Sequence, residues 1–250
     1  MIGLIKKDFY LNMKMIRLTL IYYIGLLIFG HVFRYSYIYG NLKNTGSNGN
    51  FADNIFIVLL GGVTAAIISS IPTSCIEKDR NSGFNAFMYT TTVLEKKIIT
   101  AKILEVLICT GISMLSLMFS AVIFGVQFGF SHIKTGIVIG IIFILLLGFV
   151  GTIAIPVTIL VKKCDTAIAI IIVGAFICIV GLCVILYMTK NKFMDIIFTF
   201  LQGGGVGDFN WSYYGFVIIL ISIALYIVGI VIAYFTSIKA LSRREKVCGV

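Results

Sequence analysis

Residues 77–102 read EKDRNSGFNAFMYTTTVLEKKIITAK, and the fold turns on what surrounds them. Long apolar runs lie on both sides, so this is the largest polar segment among greasy ones. The segment is basic, yet it carries Phe84, Phe87, Met88 and Tyr89. A solvated linker has no use for that aromatic content.

Of the 250 residues, 60% are hydrophobic and 12% charged, and the mean hydropathy is +1.08. A soluble domain is about half apolar and about a quarter charged. The charges cluster and leave runs of about 20 apolar residues, the length a helix needs to cross roughly 30 Å of hydrocarbon. Unpaired backbone groups are very costly in lipid, so such runs must be helical. The expectation is an all-α integral membrane protein with a single transmembrane domain. Six spans are expected near residues 18–38, 54–76, 103–128, 136–161, 166–188 and 213–237. Thr92 and Glu95 have capping-box spacing, which would start the third helix early and make 93–102 its extension.

The first 17 residues precede any long apolar run. Ile2, Ile5, Phe9, Met13 and Ile16 fall on one helical stripe, with Lys6, Lys7, Lys14 and Arg17 off it. That pattern predicts a helix lying in the membrane interface. A signal peptide is the rival, but the basic region is too long and no small-residue cleavage site is evident.

Lysine and arginine in the short loops set the orientation. Only Arg34, Lys43, Lys134, Lys190 and Lys192 fall on one side, leaving 15 of the 20 on the other. Both termini are therefore expected in the cytoplasm. Tyr35, Tyr37, Tyr39, Tyr187, Trp211, Tyr213 and Tyr214 gather near the outer interface, as an aromatic belt does. The formal net charge of +10 is mostly this orientation signal, helped by attraction to anionic lipid. It calls for no nucleic-acid partner.

The outer segments differ in character. Residues 40–53 are rich in Gly, Asn and Ser and read as flexible loop, and 129–135 as a tight connection. Residues 191–212 open with NKFMDIIFTFL, too short to span, and continue QGGGVGD. A re-entrant segment turning at Gly203, Gly204 and Gly205 suits them, against the alternative of a kinked extension of the fifth span.

Chemistry inside the membrane is sparse. Glu105 lies one helical step from Lys102 near the start of the third span, and local pairing with snorkelling accounts for both. His31 and His132 read as polar interfacial residues. The six cysteines read as small apolar residues, with no metal-finger spacing and no disulfide expected. No GxxxxGK[ST], HExxH or GxSxG occurs, so no enzyme activity, cofactor or metal is expected in this chain. The spans do carry small residues, including a GxxxG at Gly136 and Gly140, which lets helices approach closely. Pro72 and Pro156 remove backbone donors and can kink their helices.

A start of KKDFYLNMK, six spans with both ends inside, the segment EKDRNSGFNAFMYTTTVLEKKIITAKIL and a half-buried stretch before the last span together resemble the ABC-2 type permease subunits of bacterial exporters. The resemblance is most specific in Glu77–Leu104: an acidic-basic start from Glu77 to Arg80, then Gly83–Phe84, then Glu95 to Lys102. Relatives often have Trp where Phe84 stands and a Leu-Pro pair near Thr91–Val93, which is absent here. The resemblance implies a bacterial plasma-membrane exporter. Two permease chains, identical or paralogous, would form the pathway above two ABC ATP-binding subunits that carry ATP and Mg. Residues 77–102 would be the coupling segment, with Glu77, Asp79, Arg80, Phe84, Phe87, Met88 and Tyr89 at the ATPase interface. Phe84, Phe87 and Met88 are spaced to fill an apolar groove, and Asp79 and Arg80 to pair at its rim. The cargo implied is hydrophobic or amphipathic, such as an antimicrobial or phenol-soluble-modulin-like peptide. The alternative is a secondary transporter or channel not driven by ATP, which would need intramembrane carboxylates or matching broken helices.

Overall fold

The apolar runs fold as helices, as the cost of unpaired backbone in lipid demands. A computed structural model describes residues 2–40, 48–81, 95–128, 130–161 and 211–248. Its elements are α1 (Ile2–Leu11), α2 (Met13–Gly40), α3 (Asn48–Ser69), α4 (Ile71–Asn81), α5 (Glu95–Phe128), α6 (Phe130–Leu160) and α7 (Trp211–Cys248). Five stretches among the described residues are long and apolar enough to cross a bilayer: Met13–Phe33, Ile55–Asp79, Lys96–Val126, Gly136–Leu160 and Ile219–Ala240. The chain is thus a helical protein of multi-pass membrane type. The expected span at 166–188 and the segment 191–212 with Gly203, Gly204 and Gly205 lie outside the described residues.

Several helix ends differ from expectation. The second expected span is not continuous, because Ser70 interrupts it between α3 and α4. Pro72 has no N–H to give the Ile68 carbonyl, and its ring crowds that carbonyl. Side chains mend the break: Ser70 Oγ donates to the Ile67 carbonyl at 2.6 Å and Thr73 Oγ1 to the Ser70 carbonyl at 2.8 Å. Residues 48–53 are helical rather than loop, and a single residue, 129, separates α5 from α6 in place of a connection over 129–135. Helix α6 runs through Pro156, and α7 continues past Ser237 to Cys248.

Helix α6 is central and packs against α3, α5 and α7. Apolar residues lie both inside and outside, and small and hydroxyl-bearing residues turn inward with the apolar core. On α7, Ser222, Tyr226, Ala233, Ser237 and Ala240 are buried, while Leu220, Ile227, Val231 and Phe235 are exposed. On α5, Ser113 and Ser120 are buried while Leu115, Met118, Phe119 and Val126 face out. Lipid tails are as apolar as leucine, so close packing and interhelical hydrogen bonds must hold such helices together. Tyr23 of α2 donates to the Ser116 carbonyl of α5 at 2.8 Å, and Thr64 of α3 meets Ser116 Oγ at 2.9 Å. Thr110 of α5 and Tyr226 of α7 share a hydrogen bond of 3.0 Å. Gly148 of α6 makes room for both, since a Cβ there would meet Thr110 Oγ1 at 2.9 Å and a Tyr226 ring carbon at 3.0 Å.

Leu117 of α5 locks three helices. It is fully buried, and its Cδ1 lies where a Cβ on either Gly61 of α3 or Gly140 of α6 would collide with it. Swinging Leu117 off one glycine drives it toward the other. We expect Gly140→Ala to lower stability by about 1–3 kcal/mol through overpacking. Adding Leu117→Ala to that variant should recover part of the loss, as read by thermal unfolding in detergent; no recovery would place the strain elsewhere.

Candidate functional site

Helix α1 docks through polar residues. Asp8 and Asn12 share a face one helical turn apart and are each about 1% exposed. The apolar stripe expected on this helix splits. Phe9 and Ile16 pack on the cluster of Ile68, Ile71, Cys75 and Cys109, but Ile2 is 83% exposed and Met13 42%. The inward face is polar because its partners are charged.

Asn12 sits between α1 and α2 and is satisfied on both sides. Its Nδ2 donates to Cys75 Sγ at 2.7 Å and to the Asp8 carbonyl at 3.1 Å. Its Oδ1 accepts from Lys78 Nζ at 2.8 Å and from Ser74 Oγ at 3.2 Å. Lys78 also donates to the Leu11 carbonyl at 3.0 Å, which places a cation on the carbonyl end of α1, where the helix dipole favours one. Cys75 is therefore more than apolar filling: its thiol also donates, weakly, to the Asp8 carbonyl at 3.7 Å.

Beneath this lies a buried ionic cluster. Lys102 of α5 donates to Asp8 Oδ2 across 94 positions of sequence. Lys7 donates to Asp79 Oδ1 at 2.5 Å and lies 3.4 Å from Asp8 Oδ1. Lys102 also lies 3.8 Å from Asp79 Oδ2 and 3.7 Å from Glu105 Oε2. Lys102 is 5% exposed and Glu105 0%, so neither snorkels to water. Local pairing alone thus does not account for them: the main partner of Lys102 comes from α1. Neither oxygen of Glu105 has a hydrogen-bond partner, nor does Asp8 Oδ1.

The environment of Asp8 is divided. Burial works to raise its carboxyl. The neighbouring Glu105 side chain, with the Lys102 and Lys7 ammonium groups, outweighs burial and holds Asp8 below its ordinary 3.8. Ligand atoms of Asp8, Cys75 and Glu105 lie within 4.8 Å of one another, a spacing a metal ion could bridge. Lys102 already sits on Asp8, however, and a divalent ion there would face that ammonium at close range.

The expected interface residues divide. Asp79 lies in α4 and is 7% exposed, turned toward Lys7 and Lys102. Glu77 is half-buried on the same helix, which also carries Arg80. Phe84, Phe87, Met88 and Tyr89 lie outside the described residues. Gly136 and Gly140 are buried in α6, and Gly140 lies against Leu117. Sequence reading missed Lys7, Asp8, Asn12 and Cys75 as one site with Asp79, Lys102 and Glu105. A usable signal was Asp8 and Asn12 on one face of a helix bordering an apolar run, because polar groups at such places are costly unless answered. In comparisons with known proteins, no family model, curated protein or solved structure matches this chain.

Removing one partner of a buried ion pair leaves the other uncompensated and costs about 3–5 kcal/mol. Asp8→Asn is expected to destabilise by that order and to free α1 for limited proteolysis. The pH dependence follows in sign. Because folding lowers the Asp8 carboxyl, its contribution is present above 3.8 and is lost as pH falls below that value. Acid should therefore release α1 from the wild type, and Asp8→Asn should abolish that transition.

Proposed function

We propose that this chain is the membrane-spanning permease subunit of an ATP-driven exporter, with residues 77–102 as its cytoplasmic coupling segment. The observation that carries the reading is the attachment of that segment. Its middle, residues 82–94, connects α4 to α5, and the ionic cluster grips both helices close to where it joins them, at Asp79 and Lys102. A force on 82–94 therefore passes through Asp79 and Lys102 into α1 and α5. Phe84, Phe87 and Met88 give a partner an apolar handle, as a helix in a groove requires. The pathway forms with a second permease chain, and two ABC ATP-binding subunits hold ATP and Mg below. ATP-driven closure biases a two-state arrangement of the spans. The largely apolar outer faces and the hydroxyl groups buried between helices suit a hydrophobic or amphipathic cargo, an amphipathic peptide first among them. The setting is a bacterial plasma membrane with both termini in the cytoplasm.

A second reading, a carrier driven by protons or ions, gains from one observation. Glu105 is wholly buried within an apolar stretch and its oxygens lack hydrogen-bond partners. Buried carboxylates of that kind mark proton relays in membrane carriers.

The two readings part on purification. An exporter subunit should copurify with an ATP-binding protein, and amphipathic peptide should stimulate ATP hydrolysis by the reconstituted complex. Phe84→Ala with Phe87→Ala should weaken that association by at least about tenfold, since aromatic anchors commonly carry more than about 1 kcal/mol each. Cargo movement by the chain alone, driven by a proton gradient without nucleotide, would discard the exporter in favour of the carrier.

A further inference from the structure

One carboxyl group of the ionic cluster, that of Glu105, is buried without a hydrogen bond. The charged groups gathered there are Lys7 and Asp8 from α1, Asp79 from α4, and Lys102 and Glu105 from α5, with the thiols of Cys75 and Cys109 beside them. The cations are unevenly placed. Asp8 receives Lys102 and lies near Lys7, and Asp79 receives Lys7 and lies near Lys102. Among the described residues the cation near Glu105 is Lys102 at 3.7 Å; Glu105 is 0% exposed, and neither of its oxygens has a hydrogen bond. A bare carboxylate held this way is strongly disfavoured, and two carboxylates at close quarters do not both ionise. Asp8 Oδ1 is also without a hydrogen bond, and a carboxylate oxygen of Asp8 lies within 4.8 Å of one of Glu105.

We propose that Glu105 carries a proton at neutral pH and donates it to Asp8, making the pair a proton-binding site that fastens α1 to the bundle. One proton relieves the repulsion between the two buried carboxyl groups and gives their oxygens a shared hydrogen bond. It also explains the asymmetry of the pair: Asp8 holds the negative charge because the cations are on it. Losing the proton sets two like charges face to face across the α1–α5 contact and pushes α1 off. The ligand is a proton rather than a metal ion, because the Lys102 ammonium occupies the cation side of Asp8. This inference does not rest on the exporter reading and stands or falls without any ATP-binding partner.

The test uses the full chain in lipid nanodiscs at pH 7. Infrared spectroscopy should show the carbonyl stretch of a buried neutral carboxyl, lost in Glu105→Gln. Because Gln mimics the protonated acid, that variant should unfold within about 2 °C of the wild type, a shift corresponding to a small change in stability. Carbon-13 labelling of glutamate in the wild type should move the band, which keeps the test decisive if the variant folds poorly. Absence of a neutral carboxyl at pH 7, or a band that glutamate labelling leaves in place, overturns the proposal. So does a sodium-dependent rise in the wild-type unfolding midpoint that Glu105→Gln removes, since that would mark a metal cation in the proton's place.

Discussion

A lysine shut away from water has to be answered by carboxylates, and in this protein the answer comes from a distant part of the chain. Lys102 lies on α5, and the carboxylate it holds, Asp8, lies on α1. Taking either charge out of water alone costs several kcal/mol even after relaxation. The two are therefore tolerable only together, and the helices that carry them are bound to meet. Asp79 and Lys7 extend the same requirement to α4. The place of the amino-terminal helix follows from this demand more than from its apolar residues, several of which remain exposed.

Above that ionic base the packing works by other means. Every described span is apolar over most of its surface, so burial of apolar area does not decide which face turns inward. Small and hydroxyl-bearing residues do. Gly61 and Gly140 admit Leu117 between helices, and Gly148 admits the Thr110–Tyr226 hydrogen bond. Tyr23, Thr64 and Ser116 tie α2, α3 and α5 together where water cannot compete.

Five of the six expected spans have counterparts among the described helices, and these were legible in the sequence because lipid leaves the backbone so little choice. Local interruptions were less so. Pro72 announces a kink, but where the helix breaks depends on Ser70 and Thr73 finding carbonyls to bond. The polar residues 48–53 look like loop by composition, yet helix is open to them once α3 is anchored below. The ionic site was least legible, for a physical reason. Sequence spacing shows Lys102 and Glu105 as neighbours on one turn, so a local pair explains them. It cannot show that another helix delivers Asp8 into the same space. Nor does an apolar stripe reveal that the inward face of α1 is the polar one, because in a membrane protein exposed apolar residues carry no penalty.

The 94 positions between Asp8 and Lys102 also set an order of events during synthesis. When α1 leaves the ribosome, its carboxylate has no counterion to dock against, and α4 with Asp79 arrives first. Only after the start of α5 has emerged can the cluster close. The first helix is thus seated only once the chain has been made as far as Lys102, ahead of α6 and α7.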